Sequence, residues 1–437
     1  MALANGRFPA ADQILVDPGD PSHLVLRATY GLLQSHDAGQ SWTWVCEAAV
    51  GYMGDPSVSV LRGGGVLVGF FGSVSVSTEE GCGWQSQTLD ERYLYALDST
   101  LDTGDPGRAW VLTVTADGSR RVNLLAIDAA GTTSQIVPVG EGFVPSTLEV
   151  APSDPRRIYV SGAIERSPAL VLRSDDGGES WQRFTVPEYP NLPLYISAID
   201  PIDPNVLYAR VDGQPDTSAP PGQRAPSDHL LRSQDGGANW QRIFSLDGDL
   251  YGFALSPDGS RIAVGGPDVG VYIASATELD FQPAPMPVRG LRCLRWTAEG
   301  LLACGQEMLD GWTVGLTRDE GQSFEALWHQ KDLAPLSCAP ASRTGTTCPS
   351  LWPDVARTIG ADPGDVAPAV PGNLGMLGTG GSHASEPPPM PPTPPAAKKD
   401  GGCALTIRSS AHAMPALAAL LAALAALSLR RRQGTSM

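Results

Sequence analysis

The chain has 437 residues, of which 42% are hydrophobic, 18% charged and 7% aromatic, and it carries a formal net charge of −17 at pH 7. A chain this acidic repels phosphate backbones, so a nucleic-acid partner is excluded. The 49 glycines and 39 prolines exceed the usual share, which excludes a helical bundle and fits short strands separated by many turns.

Reading from the N-terminus, no basic and apolar leader is present, but Ala2-Leu3-Ala4 is the small-residue pattern that precedes a signal-peptide cleavage site. Residues 1–4 are therefore expected to be the remnant of a signal whose start lies upstream. The next unit reads as four short strands, over 13–17, 23–29, 32–37 and 41–47. Asp17-Pro18-Gly19-Asp20-Pro21, Ser153-Asp154-Pro155 and Asp200-Pro201-Ile202-Asp203-Pro204 read as turns at matching places in successive units.

An octapeptide recurs along the chain. Ser35, Asp37, Gly39 and Trp42 have the same spacing as Ser174, Asp176, Gly178 and Trp181. So do Ser233, Asp235, Gly237 and Trp240, and Thr317, Asp319, Gly321 and Phe324. Ser77, Glu79, Gly81 and Trp84 form a variant with Glu for Asp. The pattern makes sense as a hairpin corner. A short carboxylate accepts from the N–H groups of its own turn, glycine takes a positive φ, and the ring packs on the sheet. The aspartates are thus expected to be structural, and no catalytic residue is assigned among them.

The spacing counts the units. Trp42 to Trp84 is 42 residues, Trp84 to Trp181 is 97, Trp181 to Trp240 is 59 and Trp240 to Phe324 is 84. The two long gaps hold degenerate units. One is the hairpin 109–127 and the other is 261–281, where Asp280-Phe281 replaces the octapeptide. Seven units of this size predict an all-β fold, a seven-bladed β-propeller of four-stranded antiparallel blades over 5–332. The first and last units each own four strands, so no strand is exchanged to close the ring. Closure is expected from packing and from the tail 333–357.

These octapeptides resemble the Asp-box or BNR repeats of sialidases, other glycoside hydrolases, sortilin-type receptors and photosystem assembly factors. That resemblance spans both enzymes and binders. Sialidase-like chemistry implies an arginine triad with a Tyr–Glu pair, and an aromatic-Arg-Ile-Pro motif before the first repeat. Here Gly6-Arg7-Phe8-Pro9 keeps only the Arg-apolar-Pro part. Ser/His/Asp catalysis lacks a G-x-S-x-G motif. The expected work is non-catalytic binding of a glycan or protein by the loop face, with glycoside hydrolysis as the alternative and an envelope assembly factor as a third reading. Tyr52, Phe143, Tyr195 and Tyr251 each precede a first strand. Together with Arg7 and Trp312 they are the expected ligand contacts. The loops Tyr30-Gly31, Phe70-Phe71-Gly72, 162–168 (with Glu165 and Arg166), 212–228 and 305–312 (with Glu307 and Asp310) share that face.

Seven cysteines fit an oxidising compartment. Cys293 and Cys304 flank a two-residue turn at Ala298-Glu299, which sets them opposite each other. Cys338 and Cys348 are close in sequence and are expected to pair, leaving Cys46 with Cys82. No C-x-x-C pair exists, so a zinc site is not expected, and no other metal or cofactor is assigned.

Residues 358–402 read as a Pro/Gly-rich linker, extended and disordered where prolines crowd between Pro387 and Pro395. The run from 411 to 429 is apolar and just long enough to span a bilayer. Arg430-Arg431-Arg432 follows on what would be the cytoplasmic side, which places 1–400 outside the cell. The stretch from Gly402-Cys403 through this helix to the arginines resembles the myxobacterial sorting signal MYXO-CTERM, here 403–432. The resemblance implies a cell-surface address, a sorting protease as partner and Cys403 as the processing or lipid-attachment residue. Permanent membrane anchoring by the helix is the simpler alternative.

Overall fold

The computed structural model describes residues 9–89, 94–164, 167–190, 192–213 and 227–364. Arg7, Glu165, Arg166, Cys403, the Pro-rich linker and the apolar run 411–429 lie outside the described residues. Seven antiparallel sheets follow one another, each built from four consecutive strands. Their first strands are Ala11–Val16, Ser57–Val60, Leu94–Leu101, Val144–Ala151, Leu194–Ile199, Gly252–Leu255 and Cys293–Thr297. Each first strand touches that of the next blade, and the seventh returns to the first. The fold is a seven-bladed β-propeller, with the first strands lining the axis.

Burial explains the strand sequences. Second and third strands are covered by the blades on either side, so they read as apolar runs. In Arg108–Thr115 every residue after Arg108 is buried. Fourth strands lie at the outer edge and are largely uncovered, as in Gly83–Thr88, where Trp84 alone is buried. Between-blade packing is the core, divided into clusters that each draw on two or more sheets.

The repeated octapeptides occupy the turn between third and fourth strands. In the first, the buried Ser35 Oγ donates to Asp37 Oδ1 (2.8 Å) and accepts from Gly39 N (2.9 Å). Asp37 Oδ1 in turn accepts from Ser41 N (2.9 Å), and Oδ2 from Ser41 Oγ (2.6 Å). The same set recurs at Ser174 with Asp176, Ser233 with Asp235 and Thr317 with Asp319. Two successive left-handed residues complete each turn, Ala38 and Gly39 in blade 1 and Gly177 and Gly178 in blade 4. The second must be glycine for another reason, because it presses on the preceding blade. A Cβ on Gly178 would lie 2.5 Å from Val137 Cγ1, and one on Gly237 3.0 Å from Val171 Cγ1. The ring that follows locks the corner, as where Trp42 Nε1 donates to Gly39 O (2.9 Å). At Trp181 the acceptor is Pro138 O of the preceding blade (3.1 Å).

The glutamate variant departs from this pattern. Ser77 Oγ accepts from Val66 N (2.7 Å). Glu79 and Glu80 both take positive φ in a short 3-10 turn over Glu79–Gly81. A longer side chain cannot close the compact ring that aspartate makes, although Trp84 Nε1 still donates to Gly81 O (3.0 Å).

The ring is closed by the segment after blade 7. Ala334–Pro335 adds a fifth, parallel strand to blade 1 beside Thr43–Val45. The helix Trp352–Ile359 then packs back on blade 1, with Trp352 against Trp44 at 5.5 Å. Trp42 meets Trp328 of blade 7 at 5.8 Å, so a ring pair spans the seam itself.

Two of the expected disulfide pairings are corrected here. Cys46 joins Cys348 and Cys82 joins Cys338, rather than Cys338–Cys348 and Cys46–Cys82. The short helix Arg343–Thr347, capped by Ser342, separates Cys338 from Cys348 and turns them to different blades. Thr344 Oγ1 donates to Gly81 O (2.7 Å) in the same contact. Cys293–Cys304 forms across opposed residues of the blade 7 hairpin, with the turn at Ala298-Glu299.

Two predictions follow from the corners and the seam. Replacing Ser174 with Ala strips the buried Gly178 N–H of its acceptor and should cost about 1–3 kcal/mol in urea unfolding. Removing both seam disulfides, with sequence separations of 302 and 256, should lower Tm far more than removing Cys293–Cys304, separated by 11. Each long-range bridge is worth about 2–5 kcal/mol, and differential scanning calorimetry of the alanine variants checks the order.

Candidate functional site

The first strands surround a central cavity of about 590 Å3. Its lining runs from Tyr251 at one face to Pro152, Pro201 and Pro257 in the turns at the other. Four of these strands carry a bulge, at Asp12, Leu97, Ser146-Thr147 and Ser197. A bulge bends a strand and re-aims its side chains, and Asp12, Asp98 and Ser197 all line the lumen. A chain of hydrogen bonds ties successive first strands together. Ser59 Oγ donates to Ser99 Oγ (2.9 Å), Leu148 N to Asp98 Oδ2 (2.9 Å) and Ile196 N to Thr147 Oγ1 (3.0 Å).

Three lumen groups are electrostatically unusual. Burial raises the Asp98 carboxyl to about 6, against the opposing pull of Leu148 N, Ser99 N and Arg27. Burial, and then the charge of Asp98, push Glu149 well above the ordinary carboxylate range, while Arg295 pulls it down. Arg295 is itself shifted downward by burial and held up by Glu149. Its side chain is exposed to the lumen, which it lines together with Glu149 and Asp98.

At the face where the first strands begin, two tyrosines stand at the mouth. Arg292 lies over the Tyr251 ring at 5.5 Å and Arg210 over the Tyr195 ring at 4.8 Å. Arg292 also approaches Asp12 (3.8 Å), and Arg210 pairs with Asp212 (3.3 Å). Tyr251 Oη donates to Asp249 Oδ2 (3.1 Å). Burial and the Asp249 charge push that phenol up to about 12, so it stays a donor at neutral pH. A pocket of about 230 Å3 opens between the two tyrosines, walled by Ser197, Leu250 and Phe253. A second recess of about 350 Å3 adjoins Asp12, Arg27, Asp55 and Asp98. Tyr251 borders all three spaces.

The structure separates the other aromatics from this mouth. Tyr52 is buried 6.5 Å from Phe70, Phe143 is buried in the core shared by blades 3 and 4, and Trp312 is buried 6.0 Å from Phe324. These rings fill the joints within and between blades. Glu307 is taken up by His329 Nδ1 (2.7 Å) and Thr313 Oγ1 (2.7 Å), and Asp310 caps the Arg289 and Gly290 amides. The charged trio Asp98, Glu149 and Arg295 escaped the sequence reading. The available signal was a lone charge inside an otherwise apolar first strand, as in Leu94-Tyr-Ala-Leu-Asp98 and Cys293-Leu-Arg295-Trp.

No family model and no curated protein matches the chain. Among solved structures it is similar to a chain of hydrazine synthase from Kuenenia stuttgartiensis, at 16% identity and a TM-score of 0.50, over 71% of this chain and 96% of that one. It is also similar to an ancestral GH74 enzyme, at 15% identity and a TM-score of 0.51, over 73% of this chain and 46% of that one. At these identities the likeness shows the shared propeller fold.

The raised carboxyl of Asp98 has a measurable consequence. Its folded pKa of about 6 lies above the ordinary 3.8, so the folded state binds the extra proton and loses stability as pH rises through that window. Carbon-13 NMR should place the Asp98 midpoint near 6, whereas the corner carboxylate of Asp176, held by Ser180 and Ser174, should titrate at about 2.

Proposed function

We propose that this propeller is a non-catalytic binding module that captures an extracellular glycan at the mouth of its channel. The observation that carries the reading is the pair Tyr195 and Tyr251 flanking a pocket, each ring backed by an arginine whose carboxylate partner lies at the rim. Ring faces pack against the C–H faces of a sugar, and the surrounding polar groups read its hydroxyls. The acidic surface favours an uncharged glycan over a polyanionic one.

The cellular setting follows from the same reading. Three disulfides fit an oxidising, extracytoplasmic compartment. The likeness of residues 403–432 to a sorting signal supports display at the cell surface, with the Pro-rich segment as a stalk and the membrane and a sorting protease as partners. The repeated corners are similar to Asp-box repeats, which occur in binders as well as hydrolases.

Glycoside hydrolysis is the second reading. It is favoured by Asp98 and Glu149, two lumen carboxyls pushed upward on adjacent blades, and by the likeness to a GH74 enzyme. Full-length protein on an array of neutral polysaccharides and glycoproteins tests both. Capture of a polysaccharide, weakened at least tenfold in a folded Tyr195→Ala/Tyr251→Ala variant, supports the proposal. Unchanged capture by that variant overturns it. So does turnover of fluorogenic glycosides that Glu149→Gln abolishes, which would establish hydrolysis in its place.

A further inference from the structure

Below the mouth, the lumen carries charge on two facing walls. In a ring of seven, blade 7 stands across the axis from blades 3 and 4. Asp98 on blade 3 and Glu149 on blade 4 therefore look toward Arg295 on blade 7 across the same cavity of about 590 Å3. Both Asp98 oxygens are engaged, with Leu148 N and Ser99 N each at 2.9 Å. Glu149 and Arg295 are different. Each feels the other's charge, yet neither side chain makes a hydrogen bond or salt bridge to any described residue. Arginines elsewhere have settled on carboxylates, as Arg108 has on Asp102 (2.6 Å) and Arg157 on Asp175 (2.7 Å).

A guanidinium and a carboxyl that line one cavity without reaching each other hold unused binding capacity. A lone anion drawn to Arg295 meets the two acids opposite. A lone cation drawn to the acids meets Arg295. A neutral molecule leaves both charges without a partner. A molecule with separated positive and negative groups satisfies both walls at once, and the planar fork of arginine matches a carboxylate.

We propose that the lumen is a binding site for a small zwitterion of the amino-acid class, its ammonium on the Asp98–Glu149 wall and its carboxylate on Arg295. This site lies deeper than the glycan mouth and does not rest on that reading. The cavity has the size of a small-molecule site, and water fills what the ligand leaves. Burial and the charge of Asp98 raise Glu149 above the usual carboxylate range, and an arriving ammonium favours its ionised form, so affinity rises with pH.

Calorimetry on the full-length protein decides the matter. The probes are the unbranched amino acids from glycine to 6-aminohexanoate, each beside the carboxylic acid and the amine of equal length. One or two members of the series should bind at least tenfold tighter than their singly charged counterparts, with affinity that rises with pH. Glu149→Gln and Arg295→Gln should each weaken binding tenfold or more, and Arg295→Lys by less. Absence of binding across the whole series overturns the proposal. So does equal binding of the matched acid or amine, a comparison made on the unaltered protein and thus independent of whether the variants fold. Affinity unchanged in folded Glu149→Gln or Arg295→Gln overturns it as well.

Discussion

A ring of separate sheets has a seam wherever the chain starts and ends, and every other contact depends on that seam staying shut. Many propellers could share one sheet between the two ends of the chain, but here blades 1 and 7 each take all four strands from one stretch of sequence. The joint is therefore made by side chains and by an appended segment. Trp42 and Trp328 meet across it, Arg292 of blade 7 approaches Asp12 of blade 1, and Ala334–Pro335 extends the blade 1 sheet. Beyond that strand, the tail crosses the outer edges of blades 1 and 2 and is bonded to both, through Cys348 to Cys46 and Cys338 to Cys82. A covalent clasp holds where sheet hydrogen bonding is thin, and the lumen keeps its shape because the clasp keeps the first strands in one circle.

The corner turns distribute the same task around the rest of the ring. Each combines a local device with a long-range one. The buried hydroxyl and its aspartate close the turn within eight residues, and the glycine beside them brings the turn flush against the preceding blade. This is why the octapeptide is so visible in sequence. Its chemistry is short-range, so the same residue types must recur at the same spacing wherever a third strand turns into a fourth. Blade 3 shows the limit of that rule. There Asp128 alone receives the Ala130 and Thr132 amides, a corner with no serine and no tryptophan, and only the surrounding hairpin marks the unit.

What sequence could not show is equally physical. Cys338 and Cys348 are ten positions apart, and nearness along the chain favours their pairing until a capped helical turn between them sends each to a different blade. Cys293 and Cys304 were legible because a hairpin register is set by its own two-residue turn. The aromatic residues show a similar divide. Tyr52, Phe143, Tyr195 and Tyr251 look equivalent as residues ahead of a first strand. Whether such a ring fills a joint or fronts the channel depends on what the neighbouring blade presents. Phe143 is taken into the core shared by blades 3 and 4, whereas Tyr195 and Tyr251 meet arginines at the mouth.

The lumen charges complete that argument. Asp98, Glu149 and Arg295 sit in strands otherwise built for burial, and each taken alone reads as a charge on an ordinary strand edge. Only the closed ring brings residues nearly two hundred positions apart to face one another. Closure also confers their electrostatic character, because walls on all sides thin the water that would otherwise screen them. Asp98 offsets that cost by bonding the backbone of the next blade and so becomes part of the framework. Glu149 and Arg295 have no such outlet. An acidic protein that keeps one arginine uncommitted at its axis, opposite a carboxyl in the same condition, retains a field across the lumen that the surface charge does not supply.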